Sequence, residues 1–139
     1  RSTEAKDKLE KTLMAGNVAQ TRAAPVTAIL CVDNEWLSKM DTLSPNYDVK
    51  PIFSNNAEAA KGTGDLNARI QAGYFILTAR ALGLNCGPMS GFDNAAVDAA
   101  FLEGTGLSSV VLVNLGTGIP ENRYPRAPRL SFEDACKIL

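Results

Sequence analysis

Two strand-length runs of apolar residues constrain this chain more than anything else in it. Val26-Thr27-Ala28-Ile29-Leu30-Cys31-Val32 and the stretch from Ser108 to Leu115 are rich in β-branched side chains and lack the polar alternation of a strand with one wet face. Both read as interior strands. Two interior strands need neighbours on either side, so the sheet they begin is unfinished by the readable pattern, and its other members are expected from missing residues or from another chain.

Between and around these runs the spacing is helical. Ser2 or Thr3 can cap a first helix with Leu9 and Leu13 one turn apart, an amphipathic surface helix ending near Gly16-Asn17. From Asp33 to Thr63 the two prolines, Pro45 and Pro51, and scattered asparagines predict a long excursion with one short helix around Trp36. From Asp65 onward Leu66, Ile70, Tyr74, Leu77 and Ala81 recur at three and four residues, and Gly83 stands where a left-handed C-cap belongs. The many small residues along this helix would let another helix approach closely, which predicts that it is buried at the centre. Cys86 to Phe92 reads as a loop, Asp93 as the cap of a helix carrying Val97, Phe101 and Leu102 and ended by Gly104, and Gly116 to Pro128 as irregular. Ser131-Phe132-Glu133-Asp134 resembles a capping box opening a C-terminal helix. The composition is that of a single domain over residues 1–139.

Composition excludes several kinds of function. The chain has 139 residues, a net charge of −1 with acids and bases interspersed, and no apolar run near the ~20 residues of a membrane span, so neither nucleic acid nor membrane is an expected partner. The opening Arg1 to Lys11 is too polar for a signal peptide, and a cytoplasmic location is expected. There is no histidine at all, which removes Ser-His-Asp and Cys-His nucleophile pairs, imidazole bases and His-ligated zinc. The three cysteines are widely spaced and form no CxxC pair, as reduced thiols would. No metal site is expected, and any catalysis must come from carboxylates, lysines or a cofactor.

The individual motifs divide between ligand and packing roles. Lys61-Gly62-Thr63-Gly64 lacks the order of a phosphate loop and reads as an approach to a helix, while Gly116-Thr117-Gly118 is followed by Ile119-Pro120-Glu121 where a dinucleotide fingerprint needs a third glycine and a helix. Cys86 without a histidine partner reads as packing rather than as a nucleophile. Trp36, Phe53 and Tyr74 are core or interface aromatics, or platforms for a ring. Arg126 and Arg129 fit solvated charges and a phosphate clamp equally. In the segment from Cys86 to Asp93, glycines flank Pro88-Met89-Ser90, which allows either a plain helix-to-helix loop or a tight exposed turn, Pro88 to Gly91, whose amides approach a planar ligand.

Taken in sequence, "ARALGLNCGPMSGFDNAAVDAAF", "SSVVLVNLGTG" and "RYPRAPRLSFEDACKIL" resemble the nitroreductase family of flavoproteins, and "MAGNVAQTRAAPVTAIL" extends the similarity toward the start. Within the family, "CGPMSGFDNA" is most similar to the malonic semialdehyde reductases, also called 3-hydroxypropionate dehydrogenases, of pyrimidine degradation. The resemblance implies an α+β sandwich with a mixed, largely antiparallel sheet flanked by helices. It implies an obligate homodimer around the long helix, one FMN per active site at the subunit boundary, and NADPH or NADH as hydride donor to a small carbonyl substrate. By the same resemblance Pro88, Met89, Ser90 and Gly91 lie along the flavin edge, with the amide of Ser90 or Gly91 near N5, and Arg129 with Arg126 reaches the FMN phosphate. Family members also carry an N-terminal segment that contacts the flavin and is absent from these 139 residues. Two other readings stay open: a nitro, quinone or enone reductase of the same fold, and a truncated dimeric module without enzymatic activity.

Overall fold

A computed structural model of the chain describes residues 1–119 and 125–139. The second apolar run becomes strand β3 (Leu107–Gly116), the middle of a three-stranded sheet, with β1 (Val26–Asp33) on one side and β2 (Asn85–Met89) on the other. Both pairings are antiparallel. Thus β3 is interior as its composition predicts, whereas β1, which looked interior, is an edge strand among the described residues. The register of β1 on β3 shifts by one residue between Leu30 and Cys31. Past this bulge, Ser109 meets Asn94, whose Nδ2 donates to its carbonyl at 2.8 Å, while Val32 lies under Gly64 on the opposite side.

Strand β2 is the principal departure from expectation, because its residues read as a loop. Asn85-Cys86-Gly87-Pro88-Met89 contains no β-branched residue, so local propensity opposes a strand there. It is extended because β3 offers it an open edge: Asn85 pairs with Gly116 and Met89 with Leu112. Pro88 has no amide to give a further strand, which suits a position at the rim of the sheet.

The first helix also differs. Helix α1 (Thr3–Glu10) is capped by Ser2, as expected, but stops at Glu10, and α2 (Ala15–Ala23) begins where the single helix was predicted to end. The break is made by tertiary pairing: Leu13 bridges Phe92, and Met14 N donates to Gly91 O at 3.0 Å. Lys6 Nζ then donates to the carbonyls of Thr21, Arg22 and Ala24 at the C-terminus of α2, and Arg22 pairs with Asp7 and Glu10, locking the two helices side by side.

After β1, Trp36–Lys39 forms a 3-10 turn running into α3 (Met40–Leu43), the short helix expected near Trp36, and α4 (Lys50–Phe53) follows with Pro51 in its first turn. Helix α5 (Ala57–Ala81) is 25 residues long and starts eight residues before the predicted Asp65, because Asn56 caps it by accepting from Ala59 N at 2.9 Å. Lys61-Gly62-Thr63-Gly64 is therefore inside the helix rather than before it. Gly64 has a packing role: a Cβ there would sit 3.0 Å from Trp36 Nε1, and that indole donates to Ala60 O at 3.1 Å while its ring meets Phe53 edge-on at 5.2 Å. Gly83 takes a φ of 84° as the left-handed residue after the helix.

Helix α6 (Asn94–Phe101) is capped by Asp93, which accepts from Ala96 N, and the described part of the chain ends with a single turn, α7 (Phe132–Ala135), capped by Ser131. Of the stretch from Gly116 to Pro128 read as irregular, Pro120 to Tyr124 lie outside the described residues, among them the Pro120-Glu121 step weighed against a dinucleotide fingerprint.

Leu9, Met89, Phe92, Val97 and Leu112 form the core on one face of the sheet, backed by Leu13, Ile29 and Phe101. Cys86 is an odd number of residues from Met89 and so faces the other way, where its Sγ lies 3.8 Å from Ile76 O of α5. The sheet is thus covered by α1 and α6 on one face and by α5 on the other. The expectation that α5 is buried at the centre holds only for its sheet-facing side, at Ala72 and Ala79; Leu66, Ile70, Tyr74 and Leu77 are 50 to 67 % exposed. Leu112 has no exposed surface, so Leu112→Ala should lower unfolding stability by about 2–5 kcal/mol, read as a fall in the urea midpoint at unchanged slope.

Candidate functional site

The segment following β2 has its side chains and its amides on different duties. Met89 is buried in the core, and its Sδ accepts from Thr21 Oγ1 at 3.7 Å. Ser90 is exposed. Gly91 O accepts twice, from Met14 N at 3.0 Å and from Asn17 Nδ2 at 2.8 Å, and Ser90 O accepts from Phe92 N at 3.0 Å. Phe92 is buried, and Asp93 N closes the crossing by donating to Thr12 O at 2.8 Å. Among the described residues the amides of Ser90 and Gly91 have no hydrogen-bond partner. The carbonyls and the methionine are therefore consumed by the protein, while two neighbouring N–H groups are left at the sheet rim.

A buried polar chain supports this arrangement. Thr27 Oγ1 donates to Asn114 Oδ1 at 2.6 Å, Asn114 Nδ2 to Thr21 Oγ1 at 3.1 Å, and Thr21 in turn to Met89. Thr21 and Asn114 are both buried, and each of their polar atoms in this chain finds a partner. Sequence reading missed Met14, Asn17 and Thr21 altogether. They lie about 70 positions from the turn they hold, and the local signal at Gly16-Asn17 pointed to a helix end.

The two arginines stand apart from the turn. Arg129 Nη1 donates to the carbonyls of Ala127 and Pro128 in its own segment, Arg126 is exposed, and among the described residues no hydrogen bond or ion pair joins either to Pro88–Gly91. Every residue from Pro125 to Leu139 is exposed, including Leu130, Phe132 and Ile138.

No protein-family model matches the chain. It is 48% identical over 137 residues, 99% of its own length and 70% of the relative's, to a protein of Xanthomonas oryzae pv. oryzae named as an NADH dehydrogenase/NAD(P)H nitroreductase. A protein of the same name from Burkholderia lata is 46% identical over 138 residues, covering 99% of this chain and 71% of the relative. The chain belongs to the NAD(P)H nitroreductase family. A nitroreductase of Exiguobacterium sibiricum, solved in complex with FMN, shares the fold with a TM-score of 0.86 at 18% identity, over 99% of this chain and 73% of that one.

Elsewhere in this nitroreductase chain a groove of about 730 Å³ opens between the end of β1, residues 36–43 and α5, with Trp36, Met40 and Leu43 on one wall and Ile70 and Tyr74 on the other. Asp33 and Lys39 pair at its mouth, and the hydrogen bond from Lys39, helped by the Glu35 amide, holds the Asp33 carboxyl below the ordinary carboxylate range. Cys31 lines the same groove; burial, then the nearby Asp98 charge, pushes its thiol pKa up, away from what a nucleophile needs. Trp36 and Phe53 are occupied with each other, so the packing reading holds for both. Among the described residues no helix is long and apolar enough to cross a membrane, and no group of three or more acidic or cysteine side chains is placed to hold a metal.

A Cβ at Gly91 would lie 2.5 Å from Asn17 Nδ2 and 3.3 Å from Met14 Sδ, so the Asn17 side chain would have to swing away from Gly91 O. Gly91→Ala should therefore cost about 0.5–1.5 kcal/mol of stability, the net worth of that hydrogen bond, measured by thermal or urea unfolding.

Proposed function

We propose that this chain is the greater part of an FMN-dependent NAD(P)H oxidoreductase of the cytoplasm that reduces malonic semialdehyde to 3-hydroxypropionate, working as a homodimer. The observation that carries the reading is the pair of amides at Ser90 and Gly91 that have no partner among the described residues, in a chain nearly half identical to a named nitroreductase. Such a rim fits the acceptor edge of a flavin: Pro88 ends sheet growth, Met89 anchors the turn from behind, and the two N–H groups have no partner among the described residues. Arg126 and Arg129, which make no ion pair among the described residues, suit the FMN phosphate once their segment folds against a second subunit. Further flavin contacts then come from a segment outside residues 1–139.

Bound FMN would supply the hydride relay between the reduced nicotinamide and the aldehyde carbon, with water as the source of the proton for the carbonyl oxygen. The protein's share is to bind, orient and exclude solvent, and none of this requires a side chain that titrates near neutral pH. That agrees with a chain without histidine. Support for the aldehyde acid in particular is the stretch from Cys86 to Ala95; the name of the relatives supports, as the second reading, reduction of nitro compounds.

The dimer is supported by two apolar surfaces that a lone chain leaves in water. One is the stripe Leu66, Ile70, Tyr74 and Leu77 along α5; the other is Leu130, Phe132, Ile138 and Leu139 near the C-terminus. Ile70→Arg should convert the protein to monomer in sedimentation and release its flavin.

Purified protein should be yellow, oxidise NADPH in the presence of malonic semialdehyde, and do so at higher kcat/KM than with a nitroaromatic or a quinone. Preference for the nitroaromatic or quinone would select the second reading, and failure to take up FMN would leave a non-enzymatic dimer.

A further inference from the structure

We propose that Asn17 is a positioning residue of the redox site: from the first turn of α2 it fixes the direction of the Ser90 and Gly91 amides and thereby tunes the electron affinity of the flavin they face. The inference rests on the FMN reading above, but its structural basis does not.

Met14, Asn17 and Thr21 stand at i, i+3 and i+7, one face of α2 and its cap. Each holds a different part of the same short segment. Thr21 grips the Met89 sulfur, the Met14 amide donates to Gly91 O, and Asn17 Nδ2 donates to that oxygen from a second direction at 2.8 Å. The Asn17 amide is itself oriented, because its Oδ1 accepts from Gln20 Nε2 at 2.8 Å.

Two peptide planes lie inside this grip. The Met89–Ser90 plane starts from a residue paired with Leu112 and buried in the core. The Ser90–Gly91 plane is held at its carbonyl by Phe92 N at 3.0 Å. Since the peptide is planar and trans, holding Ser90 O aims the Gly91 N–H to the opposite side. Only the rotations at Gly91 remain, and glycine would leave them loose. The double hydrogen bond on Gly91 O removes that freedom, and Asn17 is the half of it that a mutation can delete without touching the backbone.

An amide fixed toward flavin N5 distinguishes the two redox states. Oxidised N5 has a lone pair to accept the hydrogen bond; reduced N5 carries a hydrogen and meets the amide donor-to-donor. Loosening the turn should therefore weaken oxidised FMN more than reduced FMN and raise the potential.

The test is Asn17→Ala in the full-length protein. Oxidised FMN should lose about tenfold more affinity than reduced FMN, which moves the two-electron potential up by about 30 mV. In the flavin-free protein, hydrogen exchange at the Met14 and Phe92 amides, which bond Gly91 O and Ser90 O, should speed up while residues 111–113 of β3 stay protected. The clash of Gly91→Ala should also shrink when Asn17 is already alanine. Bound FMN with an unmoved potential, or exchange rising equally in β3, overturns the inference and reduces Asn17 to a structural contact. A wild-type protein that takes up no FMN overturns the functional reading, and the redox role of Asn17 with it.

Discussion

Everything in this chain is arranged around two adjacent residues of β3. Leu112 and Val113 have no solvent exposure, and as neighbours on a strand they point to opposite faces of the sheet. Both faces must therefore be dry at the same height, which obliges α1 and α6 to close over one and α5 over the other. The sheet-facing small residues of α5, Ala72 and Ala79, allow the close approach this requires. Strand β2 follows from the same constraint: it has no strand propensity of its own and is extended because the second edge of β3 must be paired.

The end of β2 is then placed with accuracy by polar contacts. The run Thr27, Asn114, Thr21, Met89 links β1, the middle strand, α2 and the turn through groups buried from water. Leaving one such group unpartnered costs about 1–3 kcal/mol, so the run is satisfied as a whole or not at all, and it ties α2 to the sheet in one register. The exposed ion pairs of Arg22 with Asp7 and Glu10 are individually worth little; with Lys6 on the last carbonyls of α2 they set the angle between two short helices that share almost no apolar surface. The consequence for function is a turn in which Ser90 O, Gly91 O and the Met89 sulfur are engaged by the protein while the Ser90 and Gly91 amides have no partner among the described residues.

Legibility in the sequence followed the range of the interactions. The caps at Ser2, Asp93 and Ser131, the left-handed Gly83, the strand at 108–115 and the helical spacing from Leu66 to Ala81 depend on neighbours within four residues, and each is where the pattern put it. The break between α1 and α2 and the strand at 85–89 were not readable, because each is decided by a partner dozens of residues away: Phe92 and Gly91 for the break, β3 for the strand. The extra turns of α5 before Asp65 start from the local cap at Asn56, a signal that Gly62 and Gly64 outweighed in the pattern. The stripe on α5 was read as apolar and lies uncovered within the single chain, since periodicity reports which face avoids water and not which chain covers it.

Residue order alone therefore decided the chemistry these 139 residues can offer: no imidazole, and a Gly-Pro-Met-Ser-Gly stretch permissive enough to lay its backbone against a ligand. Folding decided how that stretch is used. Burying Met89 and doubly engaging Gly91 O are contacts across about 70 residues of chain, invisible to any local pattern, and they alone turn a permissive loop into two oriented, unpartnered amides.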